Sequence, residues 1–220
     1  MRRLLSIVAL LAIAAGATRS LAQTVPLHLA VETLDSRYNS IRNWEAEFTQ
    51  IYTSGLQTRT ESGRLYLQKP GRMRWDYSDP VHKVFLVAQN RVFQYAQGGN
   101  EATVTKVQNL SDLRTPLRFL LGHTELAKEL NELSFSGLEP WHKGDMVIHG
   151  VPKQAVGEAG WRELWIEFTP QYRIVRLLIL GLDGSQNDLR FSGIRVNMRL
   201  PGGIFDFKPP AGVKVIPGGG

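Results

Sequence analysis

The sequence predicts a mainly β fold with some α: a strongly curved antiparallel sheet, an open or half β-barrel of about 11–12 strands, under a lid of about three helices. Three observations lead there. An apolar stripe of helical period opens the fold and then gives way to strict alternation. A long series of strand-like runs follows, separated by turn residues. Short apolar helical pieces interrupt that series mid-chain.

Residues 1–22 stand apart from the fold. Arg2 and Arg3 form a basic start, Leu4 to Ala15 an apolar run, and Ser20-Leu21-Ala22 a small-x-small cleavage site. The apolar run is short for a membrane span. The expectation is a signal peptide cleaved after Ala22. Residues 23–220 are then one exported domain in the periplasm, with no linker and no internal repeat.

Pro26 to Ile41 reads as the first helix. Leu27, Ala30, Val31, Leu34, Tyr38 and Ile41 recur at three- and four-residue spacing, with Glu32, Asp35, Ser36 and Asn39 opposite. From Asn43 the period becomes two: Trp44, Ala46, Phe48, Gln50 and Tyr52 alternate with Glu45, Glu47, Thr49 and Ile51. Strand-like runs follow at 61–69, 72–78, 82–88, 91–96 and 102–107. The links Pro70-Gly71, Asp79-Pro80, Gln89-Asn90 and Gly98-Gly99-Asn100 are short, so neighbours pair antiparallel in a meander.

Thr115-Pro116 then places an N-cap before a first-turn proline, and Gly122 closes the helix "PLRFLLG". A second piece, "TELAKELN", starts at Thr124. The first is apolar nearly all round and needs cover on several sides. Strands resume at 133–138, 146–151, 162–169, 173–182, 188–198 and 204–208.

Composition excludes some function classes. The chain of 220 residues has 43% hydrophobic and 21% charged residues, enough for a sizeable core. It has no cysteine, so its stability rests on the core, and a lipid anchor on cysteine or a thiolate metal site is ruled out. Loss of Arg2, Arg3 and Arg19 lowers the formal charge from +6 to +3. The basic residues are scattered, so a nucleic-acid partner is not expected. The five histidines show neither HExxH nor HxxxH spacing, and no Gly-x-Ser-x-Gly elbow occurs. Neither enzyme chemistry, a cofactor nor a metal is expected.

A curled sheet with helices across its open side encloses either an apolar cavity or an ordinary filled core. The stretch "LYLQKPGRMRWDYSDP" bears on this choice. Leu65, Leu67 and Lys69 share one parity, as do Met73, Trp75 and Tyr77 after the break. Arg72 and Arg74 take the other parity, a solvated face or a docking patch for an acidic partner.

Together with "VHKVFLVAQNRVFQY", "RTPLRFLLG", "EFTQ" and "FDFKPPAGVKVI", this stretch resembles the LolA-type periplasmic lipoprotein carriers, across the whole mature chain. The resemblance implies an open β-barrel with a helical lid. It implies cargo of acylated lipoproteins, taken from an ATP-driven transporter in the inner membrane and passed to an outer-membrane receptor. A monomer is expected. Leu34, Tyr38, Phe48, Leu65, Leu67, Met73, Trp75, Tyr77, Leu117, Leu120 and Leu121 are the expected lining of the lipid cavity. Lys69 stands where the family commonly has an arginine bonded to the lid. It is the expected latch, reaching carbonyls around Leu117 to Gly122. Gln89-Asn90 replaces the family's Asp-Gly hairpin. The alternative on the same fold is a carrier or sensor of another amphiphile, such as a glycolipid.

Overall fold

The computed structural model describes residues 25–106, 123–153 and 160–218. Helix α1 spans Leu27–Ser40 and its cap at Ile41 is extended. The strands are β1 (Asn43–Ser54), β2 (Gln57–Gln68), β3 (Arg72–Asp79), β4 (Lys83–Ala88), β5 (Arg91–Ala96) and β6 (Glu101–Lys106). A four-residue helix, α2 (Leu126–Glu129), precedes β7 (Leu130–Phe135), β8 (Met146–Pro152), β9 (Trp161–Phe168), β10 (Ile174–Gly181), β11 (Gln186–Val196) and β12 (Lys214–Pro217).

All twelve strands form one sheet in the order β12-β6-β5-β4-β3-β2-β1-β11-β10-β9-β8-β7. Two antiparallel meanders, β1–β6 and β7–β11, therefore meet where β1 pairs with β11. The ends, β12 and β7, do not pair with each other, so the sheet stays open. One face curls around α1. A single core cluster holds residues of α1 and of strands from β5 across to β8, which a flat sheet this wide could not bring to one 14-residue helix.

Register explains how that face is built. Trp44, Leu67, Met73, Val87 and Val92 stand side by side across β1–β5. The next row is Ala46, Leu65, Trp75, Phe85 and Gln94. In the other meander Leu189, Leu177, Ile166 and Ile148 make the matching row. Gly63 lies opposite Phe48, and a Cβ there would come within 2.0 Å of the Asp76 carbonyl oxygen. Only glycine allows this approach.

The opposite, outer face carries a second, smaller cluster of Tyr66, Leu86, Ala88 and Phe205. It is covered by residues 199–208. This corrects the strand expected at 204–208. Those residues form a turn and then irregular chain, with Phe205 and Phe207 packed on the sheet without strand pairing to it. Their alternation comes from packing against a face, not from strand pairing. The last strand is instead β12, and it pairs parallel to β6, so the sheet as a whole is not antiparallel throughout.

Other boundaries also move. The strand expected at 133–138 lies at Leu130–Phe135, and the helix expected from Thr124 shortens to α2. The described residues hold two helices, so a three-helix lid is not seen among them. The helix expected at 116–122, with Leu117, Leu120 and Leu121, lies outside the described residues, as do residues 1–24. At the β4–β5 hairpin both Gln89 and Asn90 have positive φ, 51° and 58°. This is the mirror-image turn that a tight hairpin prefers.

Candidate functional site: the concave face beneath helix α1

The helix buries Ala30, Val31, Leu34 and Tyr38 against the concave face. Leu34, Tyr38, Phe48, Leu65, Leu67, Met73 and Trp75 are all buried in the one cluster, and Tyr77 packs against it half-buried. The structure thus brings together every expected lining residue that it describes. Phe48 stands edge-on to Trp75 and Tyr77, with ring centroids 4.6 and 5.0 Å away.

The face is filled rather than hollow. Met73 is 1% exposed. Beneath the helix end a void of about 10 Å³ remains among Tyr38, Ile41, Trp44, Leu67 and Lys69, room for no more than one water. A larger cavity of about 340 Å³ opens at the rim of β3–β6 beside Tyr77, Lys83, Phe85, Gln94 and Thr103.

Polar ties hold α1 in place. Lys69 Nζ donates to the Tyr38 carbonyl at 2.7 Å. Lys69 therefore bonds to the last turn of α1; the segment around 117–122, which it was expected to reach, lies outside the described residues. The reason is physical. A helix end leaves its final carbonyls without intrahelical donors, and an ammonium suits the negative end of the dipole. Burial lowers the Lys69 pKa. On the other side of the helix, the Tyr38 hydroxyl accepts from the Ile174 N–H at 2.8 Å. Burial pushes the Tyr38 phenol up to about 12, against the pull of that N–H. Tyr38 thus joins α1 to both meanders at once.

Two further ties were not foreseen, because Asp35 and Asn39 read as a wet helix face. Asn39 exchanges two bonds with the backbone of Thr124, at 2.9 and 2.7 Å. The Asp35 carboxylate accepts from the Leu126 N–H at 3.0 and 3.1 Å. Burial raises the Asp35 pKa, partly offset by that N–H. Their four-residue spacing puts both on one helix face, which was the only available signal. A half-buried polar chain also crosses the sheet near the aromatic group. The Tyr77 hydroxyl donates to Gln50, and Gln50 donates to Asn187, at 2.9 and 3.0 Å. Burial, with the Glu61 charge adding to it, pushes the Tyr77 phenol up to about 12.

The two arginines part company. Arg72 is exposed. Arg74 pairs with Asp76 at 2.8 Å and donates to the Ile204 carbonyl at 3.0 Å, beneath the segment that covers the outer face. The solvated role expected for Arg74 is therefore corrected: its guanidinium is engaged within the chain.

Among the described residues, then, helix α1 lies over an apolar concave face and is held there by a few polar ties. The model of the family described as outer membrane lipoprotein carrier protein LolA matches residues 39–208, and the chain belongs to that family. The outer-membrane lipoprotein carrier protein of Legionella pneumophila (strain Corby) is 27% identical over 188 residues, 85% of this chain and 89% of its own length. That of Methylococcus capsulatus is 30% identical over 185 residues, 83% and 85% of the two chains. Among solved structures, an uncharacterized conserved protein from Thermus thermophilus superposes with a TM-score of 0.54 at 12% identity. It covers 86% of this chain and 98% of that one, a likeness of fold alone. By family the chain is a lipoprotein-binding carrier of the periplasm and not an enzyme.

Proposed function

We propose that the chain carries acylated lipoproteins from an ATP-driven transporter of the inner membrane to a receptor at the outer membrane. Residues 1–22 are removed after Ala22, and residues 23–220 work as a single monomeric domain. The acyl chains enter the concave face when α1 lifts, and Leu34, Tyr38, Phe48, Leu65, Leu67, Met73, Trp75 and Tyr77 receive them. Leu117, Leu120 and Leu121 complete the lid side. The exposed Arg72 docks to an acidic partner.

One observation carries this reading: an apolar trough is filled by a helix that is tied down by a few polar bonds. The energetics suit a reversible carrier. Each buried methylene of an acyl chain gains about 0.8 kcal/mol. Exposing a buried Leu or Val costs roughly 1.5–3 kcal/mol each. Lifting α1 therefore offsets much of the gain from one chain, which keeps cargo from binding irreversibly. The Lys69 bond adds to the closed side of that balance.

Mass spectrometry of material that co-purifies with the chain from the periplasm tests this. Acylated lipoproteins are the expected cargo. Free glycolipids or other lipids in their place would move the function to another amphiphile on the same fold.

A further inference from the structure

Glu167 lies on the outward parity of β9, yet it is 1% exposed. The loop between β7 and β8 folds back over it. Glu167 Oε2 accepts from the Trp141 N–H at 2.9 Å and Oε1 from the His142 N–H at 3.1 Å. His142 opens a turn that closes when the Asp145 N–H reaches the His142 carbonyl at 3.1 Å, with Gly144 at φ 95°. This turn delivers the Asp145 side chain, 7% exposed, to the same place, where Oδ2 lies 3.6 Å from His142 Nδ1. That Oδ2 is buried and, among the described residues, has no hydrogen-bond partner. One donor atom each from His142, Asp145 and Glu167 lie within 4.8 Å of one another.

Two buried carboxylates this close repel unless something positive sits between them. Arg176 does not settle the account for Asp145. It lies 3.6 Å from Glu167, and its shorter bonds, 2.8 and 3.0 Å, go to Asp188. Burial, and after it the Glu167 charge, raises the Asp145 pKa.

We propose that His142, Asp145 and Glu167 form a site for one divalent first-row transition cation, of which Zn²⁺ is the probe. An imidazole with two carboxylates matches the ligand preference of such ions. Ca²⁺ and Mg²⁺ prefer more oxygen ligands or retained waters. Ligands at about 2.0–2.2 Å in a tetrahedral shell stand about 3.4 Å apart, so the donors need to draw in modestly. The exposed His142 ring and the Gly144 hinge permit this. The fourth position faces solvent on the His142 side. The ion fixes the loop to β9, a structural role separate from the concave face. Sequence spacing hid the site because Glu167 comes from another strand.

The test titrates the untagged chain with Zn²⁺ by equilibrium dialysis and elemental analysis, and follows thermal unfolding in parallel. The expected result is one Zn²⁺ per chain and an unfolding temperature that rises on Zn²⁺ addition. His142→Ala and Asp145→Asn each weaken binding at least tenfold and abolish the rise. Both variants keep the Glu167 anchor, so both fold. Absence of stoichiometric binding at micromolar Zn²⁺, or unchanged binding in both variants, overturns the proposal. So does a chain in which Asp145→Asn alone raises the unfolding temperature and Zn²⁺ adds nothing, since a shared proton then explains the pair.

Discussion

The two faces of the sheet are both apolar near β2–β5, and they are closed by different means. On the concave side the cover is α1. Among the described residues its backbone joins the sheet only at the C-terminal end, where Lys69 N–H bonds to the Arg42 carbonyl and Arg42 N–H to Asn197. On the outer side the cover is residues 199–208, which continue from β11 and run on to β12, itself paired to β6. That strap is fixed in the sheet at both ends, with Phe93 and Phe207 stacked at 5.1 Å and Arg74 bonded beneath it. A cover fixed at one end can swing about its hinge. A strap fixed at both ends can lift only by unpairing a strand. The proposed carrier therefore opens on the concave face.

The largest expected effect comes from a charge under the helix. Met73→Glu places a carboxylate where 1% of the side chain reaches solvent, so the chain loses about 3 kcal/mol or more, or α1 lifts to let water in. Urea unfolding and protease cleavage of α1 distinguish the two. A Met73→Glu chain with wild-type stability and a protected helix would break the contrast between faces.

Tyr38→Phe comes next. It leaves the buried Ile174 N–H without its acceptor, at a cost of about 1–3 kcal/mol. The pH dependence has a definite sign. Tyr38 and Tyr77 have folded pKa values raised to about 12 from 10.0. The folded state then holds protons that the unfolded state has released. Their contribution is complete below pH 10 and is lost as pH rises through about 12. In Tyr38→Phe the fall of stability over that window is shallower, as measured by urea midpoints across pH.

Phe207→Ala removes the stacked partner of Phe93 and costs about 1–2 kcal/mol. Cargo loading stays unchanged, because the strap is not the moving cover. Reduced loading would show that the faces are coupled. The smallest stability change belongs to Lys69→Leu, about 1 kcal/mol or less, since loss of the bond to Tyr38 is partly offset by relief of a half-buried ammonium. Its effect is on transfer: the variant accepts cargo and releases it poorly to a purified receptor, while Lys69→Arg behaves as wild type. Normal release by Lys69→Leu retires the latch.

Much of this was legible from spacing alone. Leu34 and Tyr38 on one helix stripe, and Met73, Trp75 and Tyr77 on one strand parity, read as dry faces because period and burial are linked directly, while their meeting on one surface was what the family resemblance implied. The bond partner of Lys69 was not legible. Parity sends the amine toward the dry face, but which helix end waits there depends on how the sheet curls. Phe205 and Phe207 mimic a strand because any chain laid flat on an apolar surface alternates. The burial of Glu167 was hidden for the converse reason, since nothing local to β9 says that a loop will return to cover it. Asp35 and Asn39 mislead likewise, as their partners Leu126 and Thr124 are backbone groups, which carry no side-chain signature.

The most direct measurement puts a photo-crosslinking phenylalanine analogue at Trp75 on the concave face or at Tyr66 on the outer face, one variant at a time. Each chain is loaded with acylated lipoprotein and irradiated. Adducts through the acyl chains at position 75, and none at position 66, are predicted. Adducts at position 66 with position 75 silent would contradict a cargo site beneath α1.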